Sequence, residues 1–267
     1  MAIDSRHLLP TLPPELQLII LQMALENNMT NAKNLLFIAK HVFDWLIPIL
    51  YKVVILSRKD LYAWPPLPLP IAKLPQYGRH VHRLLLLSSP GHIIDQYLQH
   101  CPNIVDFSSS EELSDAQWEL ALRLPLHQLN PTFITWKQYS NPSNPSLFSK
   151  ITHITSNGEQ LGRISHNRYP SLTHVVIPSN SYSAHEVEGI FQRNPGLKVL
   201  VVGSSTARNM ILPELKHNPI HGDNDLDARV VHLEYNAINN WKTRNIWSVA
   251  ERVVEERHAR ARAKHSV

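Results

Sequence analysis

The amino-acid sequence predicts an α/β protein: a helical module over residues 1–56, a Pro-rich linker over 57–80, a strand–helix repeat array over 81–237, and a capping helix with a basic tail over 238–267. Three observations predict it. Apolar pairs spaced Φ-x-x-Φ recur at nearly even intervals through the middle of the chain. Prolines stand just before four of those pairs, and apolar residues at helical spacing mark both ends. The composition agrees, because 43% hydrophobic and 18% charged residues supply a core and exclude general disorder. With 20 Pro against 8 Gly, the chain is punctuated into short elements.

The module comes first. Leu12-Pro13-Pro14-Glu15-Leu16 opens a helix, since Pro is tolerated in a first turn and Glu15 suits the positive helix N-terminus. Leu16, Ile19, Ile20, Met23 and Ala24 then make one apolar stripe. After the polar loop ENNMTN, a second helix carries Leu35, Ile38, Ala39, Val42 and Leu46 at matching spacing. Pro48 is expected to end that helix, and Tyr51–Leu56 reads as a strand leading into the array. In the linker, Trp64–Pro75 is WPPLPLPIAKLP, whose four Pro from Pro65 to Pro70 favour an extended polyproline II path.

Seven apolar pairs follow: Val81/Leu84, Ile104/Phe107, Leu126/Leu129, Ile151/Ile154, Leu172/Val175, Leu197/Leu200 and Val230/Leu233. Their start-to-start spacings are 23, 22, 25, 21, 25 and 33 residues. All but the last match the roughly 20–29-residue period of leucine-rich repeats. RYPSLTHVVIPSN, with Leu172, Val175, Ile177 and Asn180, is the best-preserved copy. Pro102, Pro125, Pro170 and Pro195 end what precedes each strand. Three of the preceding stretches are helix-like: HIIDQYLQH, SDAQWELALRL with Ser114 as N-cap, and SAHEVEGIFQRN with Ser183 as N-cap.

Strand alternation separates two faces. If Leu172, Val175 and Ile177 point into the core, His174 points away, and its equivalents are Arg83, Asp106, Gln128, His153, Val199 and His232. Arg83, Asp106, Gln128, His153, His174 and His232 are therefore the predicted partner-binding residues, on the sheet surface that repeat arrays use for binding. Leu85, Val176, Val199 and Val201 add apolar patches there, either covered by another segment or binding something. A final helix from about Trp241 caps the far end, with Trp247, Val249, Ala250, Val253 and Val254 buried.

Formal charge is +4, much of it in ERVVEERHARARAKHSV, where Arg and Glu alternate. This reads as a solvated helix whose basic end opposes its own macrodipole. With no aromatic-studded basic stripe beside it, the charge argues against nucleic acid. The one cysteine, Cys101, excludes an intrachain disulfide and a Cys-rich zinc site and suits a reducing compartment, cytoplasmic or nuclear. MAIDSRHLLP lacks an apolar signal core, and LLFIAKHVFDWLIPILYKVVIL is interrupted by Lys40, His41, Asp44 and Pro48, so no membrane association is expected.

Catalytic patterns are missing. His80 and His82, or His217 and His221, have metal-like spacing without a third ligand. HEVEG at His185 departs from His-Glu-x-x-His, and neither a Gly-x-Ser-x-Gly elbow nor a phosphate-binding Gly loop occurs. The expectation is a non-enzyme with no metal and no cofactor.

The module also resembles a family. LPPEL with its helix, followed by NLLFIAKHVFDWLIPILY, is similar to an F-box, and in particular to fungal F-box-like proteins with degenerate leucine-rich repeats. The matching positions are Leu12, Pro13, Glu15, Leu16 and Ile19, then Ile38, Ala39 and Lys40, then Pro48, Ile49, Leu50 and Tyr51. The resemblance implies an F-box-like module before a leucine-rich-repeat-like solenoid, binding the Skp-type adaptor of a cullin–RING ubiquitin ligase. Leu12, Pro13, Leu16, Ile19, Ile20, Trp45, Pro48, Leu50 and Tyr51 would form the adaptor contact, and the array would recruit an unknown protein target. The alternative is a repeat scaffold without a ligase role, its N-terminal helices capping the solenoid.

Overall fold

A computed structural model describes residues 12–27, 40–57, 69–87, 89–109, 112–131, 148–155, 164–177, 184–204, 227–234 and 246–265. Among these, eight strands form one parallel sheet in strict chain order. They are β1 (Val53–Leu56), β2 (Arg83–Leu86), β3 (Asp106–Ser109), β4 (Gln128–Pro131), β5 (His153–Thr155), β6 (His174–Ile177), β7 (Val199–Ser204) and β8 (Val230–Glu234). Seven α-helices accompany them: α1 (Pro14–Asn27), α2 (Lys40–Leu50), α3 (Leu74–Tyr77), α4 (Gly91–His100), α5 (Asp115–Leu122), α6 (Ala184–Arg193) and α7 (Ile246–His265).

The register follows the predicted column. Arg83 pairs with Asp106, Asp106 with Gln128, Gln128 with His153, His153 with His174, and His174 with Val199. A repeated backbone device sets it. The N–H groups of His82 and Arg83 both donate to the Lys52 carbonyl, and those of Val105 and Asp106 both donate to His82. The same step recurs at the carbonyls of Val105, His127, Thr152 and Thr173, all at 2.8–3.1 Å. Each carbonyl uses both lone pairs, so each unit is tied to the next at its strand entrance.

The last step departs from the predicted alignment. Leu200 pairs with Val230 and Val202 with His232, so His232 falls three positions away from Val199. The apolar residues explain the shift: Val230 joins the main core while Val231 and Leu233 seat with Val201 in a second one.

On one face, Leu84, Leu86, Phe107, Leu129, Ile154, Val175, Ile177 and Leu200 meet Tyr97 and Leu98 of α4, Trp118 of α5, and Val187 and Ile190 of α6. α5 begins with the expected Ser114 N-cap, whose hydroxyl accepts from the Gln117 N–H while the Gln117 side chain accepts from the Ser114 N–H. Ser183 lies outside the described residues. On the opposite face α7 lies over the last three strands, so the closing helix packs on the sheet surface and does not cap the array's end: Ile246, Trp247, Ala250, Val253 and Val254 pack on Val176, Val199, Val201, Val231 and Leu233.

Two local expectations are also corrected. α2 continues through Pro48 to Leu50, because Ile47 and Leu50 are buried and Tyr51 still donates to the Ile47 carbonyl at 3.1 Å. Packing thus outweighs the one bond Pro48 cannot make. The extended path holds at Pro70 (φ −63°, ψ 140°) and stops there, because residues 71–80 form a 3₁₀ turn (Ile71–Lys73), α3 and a second 3₁₀ turn (Gly78–His80). Leu69 and Leu74 are buried in the core, and the Tyr97 hydroxyl donates to the Leu69 carbonyl at 2.8 Å.

Gly78 sits where two segments nearly touch, since a Cβ there would lie 2.2 Å from the His100 carbonyl oxygen. Gly78→Ala is expected to cost about 1–3 kcal/mol through backbone displacement. A urea midpoint unchanged from the native chain would contradict that contact. No helix among the described residues is long and apolar enough to cross a membrane.

Candidate functional site

Two surfaces carry the residues singled out by the sequence. The first is α1. It starts where expected, with the Leu16 and Gln17 N–H groups both donating to the Pro13 carbonyl at 3.0 and 3.1 Å. Its apolar stripe, however, is not buried: Leu12, Leu16, Ile19, Ile20 and Met23 are 46–57% exposed. Pro13 and Pro48 are exposed as well, and Trp45 is half-buried.

Leu50 and Tyr51 stand apart from that group. Both are buried, Tyr51 stacks on Tyr77 with ring centroids 5.9 Å apart, and burial pushes its hydroxyl above the ordinary range. They belong to the junction between α2 and the sheet and are inaccessible to a docking partner. The end of the motif is therefore spent on the core.

The second surface is the column on the sheet. Arg83 Nε donates to Asp106 Oδ2 at 2.6 Å, and Asp106 is buried. Burial raises the Asp106 carboxyl and outweighs the pull of Arg83 in the other direction. Gln128 is half-buried. Further along, His153 and His174 stack with centroids 4.2 Å apart and planes 9° from parallel. Their identical setting follows from the repeat. Each comes after a Thr whose hydroxyl donates to the carbonyl of the preceding unit at 3.2 Å and meets the following His Nδ1, at 2.7 Å for Thr152 and 2.8 Å for Thr173.

No family model and no curated protein matches the chain.

Function must therefore be read from these two surfaces. The histidine stack is closed off by α7. Trp247 meets His153 and His174 edge to face at 4.7 and 5.4 Å, and Glu251 Oε1 lies 3.1 Å from His174 Nε2 without hydrogen-bond geometry. Burial, followed by the neighbouring charge of His174, holds His153 down to about 4, with Glu251 pulling weakly upward. Burial, followed by Lys198, holds His174 down to about 4. Both rings are neutral at pH 7. Among the described residues, no group of three or more His, Cys, Asp or Glu side chains is placed to hold a metal ion.

Of the predicted partner-binding residues, the structure thus brings Arg83, Asp106, Gln128, His153 and His174 into one row, pairs the first two, and places buried His174 and half-buried His153 against the chain's own helix. His232 is not in the row. Sequence reasoning missed Thr152, Thr173 and Glu251 as members of this cluster and treated Trp247 only as a buried contact. The Thr-His dipeptide at 152–153, repeated at 173–174, was the available signal.

Proposed function

We propose that the chain is a non-catalytic interaction protein built as a leucine-rich-repeat-like solenoid, and that it serves as a substrate-recognition subunit of a cullin–RING ubiquitin ligase. The solenoid reading is supported by eight parallel strands in chain order, the first seven of them joined by a backbone step repeated from unit to unit. The adaptor reading rests on one observation. Of the six large apolar side chains found exposed among the described residues, five lie on α1 or at its entrance. Such a patch is the mark of a docking surface, and a Skp-type adaptor would cover Leu12, Leu16, Ile19 and Ile20. Arg83 and Gln128, which keep exposed area in the sheet column, are the proposed contacts for a target.

A second reading is favoured by α2. Its Val42, Leu46, Ile47 and Leu50 are buried, as a solenoid cap requires. The two roles divide between the helices, with α2 closing the array and α1 left to dock.

Co-purification of the full chain with a fungal Skp-type adaptor tests this. The native chain is expected to be retained, and a Leu16→Asp, Ile20→Asp variant to be lost while keeping its stability within about 0.5 kcal/mol, as for exposed positions elsewhere. A folded native chain that is not retained would leave only the scaffold reading.

A further inference from the structure

The seam between α7 and the sheet joins an apolar seat to titratable groups. The seat is short. Beyond Val254 the helix is exposed through Ala263 except at Arg257, which is half-buried and donates to the Val230 carbonyl at 2.5 Å. At the edge of the seat, His153 and His174 lie beneath Trp247, and His174 Nε2 is buried without a hydrogen-bond partner. Glu251 on α7 faces this pair, while Lys198 before β7 and His127 before β4 both oppose added positive charge.

We propose that α7 is an acid-sensitive latch, seated while His153 and His174 are neutral and released once both carry protons, uncovering Val176, Val199, Val201, Val231 and Leu233. The adaptor reading and this one are independent.

The charge count sets the mechanism. Glu251, half-exposed and 3.1 Å from His174 Nε2, can compensate one imidazolium. A second would stand 4.2 Å from the first in a partly desolvated stack, with no further carboxylate acting on either ring among the described residues. Like charges at that range repel several times more strongly than in water. Neither ring can turn away, because its Nδ1 is held by a Thr hydroxyl and its open side by Trp247. The movable member is α7, whose departure rehydrates both rings. Release has an apolar consequence, because the sheet residues it exposes are contiguous across three strands.

Amide hydrogen exchange of the full chain, resolved by segment and corrected for the intrinsic effect of pH, decides the matter. Between pH 7 and pH 4.5, protection across residues 246–257 is expected to fall at least tenfold while β2 and β3 keep theirs. His153→Phe retains a ring and removes one titration, and should hold α7 protected at pH 4.5. Glu251→Gln, at an exposed position, should move release to higher pH. Equal protection of α7 at both pH values in the native chain would overturn the proposal. So would release of the His153→Phe chain at the native pH, or a loss of protection spread evenly over the sheet. Should His153→Phe fail to fold, an unshifted Glu251→Gln profile overturns it alone.

Discussion

Trp247→Ala is expected to remove about 3–5 kcal/mol of stability, among the largest losses available to a single substitution here. The indole is 5% exposed and reaches two different groups at once: the apolar seat of Val176, Val199, Val201, Val231 and Leu233, and the stacked rings of His153 and His174. Truncation removes buried apolar area and leaves a cavity that the parallel strands beneath, tied to one another at their entrances, cannot collapse to fill. The aromatic contacts with the two imidazoles are lost as well, each typically worth about 0.5–1.5 kcal/mol beyond area. Urea denaturation measures the loss directly, and exchange over residues 246–257 shows where it falls. A cost below about 1 kcal/mol would mean that α7 contributes little to this face.

That helix shows where sequence reasoning reached and where it stopped. The Φ-x-x-Φ spacing located β2 to β7 and their register, because each unit must put its apolar positions against the next and the backbone step repeats. It failed at β8, where the interval lengthens and two registers satisfy the same apolar pattern. Trp247, Ala250, Val253 and Val254 were legible as a buried stripe, yet periodicity says that a stripe must be covered and not by what. The strands held the other half: Val176, Val199 and Val201 were legible as apolar patches either covered or binding something, and α7 covers them. Val199–Val202 is apolar at every position, the pattern of a strand buried on both faces, and it requires a second layer over the sheet. At the other end of the chain, the resemblance pointed to Leu50 and Tyr51 as surface residues, whereas their position between α2 and β1 commits them to the core. The stripe on α1 was legible in full, and its exposure is the one feature that periodicity alone reverses.

Arg83→Met should cost about 3–5 kcal/mol at pH 7, since it strands the Asp106 carboxylate in the sheet surface without its partner. Asp106 is 6% exposed and its Oδ2 lies 2.6 Å from Arg83 Nε. Its carboxyl already titrates above the ordinary range through burial, even with Arg83 beside it, and the variant raises it further. The sign follows from linkage. A carboxyl raised on folding favours the fold fully below its unfolded pKa, near 3.9, and that contribution is lost as pH rises through the folded value. The deficit of Arg83→Met relative to the native chain is therefore largest at neutral pH and shrinks on acidification. His153 and His174 are common to both chains, so their own titration cancels in the difference. Urea melts of the two chains at pH 7 and pH 5 read the effect. Adding Asp106→Asn should return most of the stability at pH 7 and flatten the pH dependence, because an amide no longer requires the cation. The double-mutant cycle separates the pair from whatever else the Arg83 side chain contributes. A deficit that stays constant between the two pH values would show instead that Arg83 supports this face through its aliphatic stem and not through its charge.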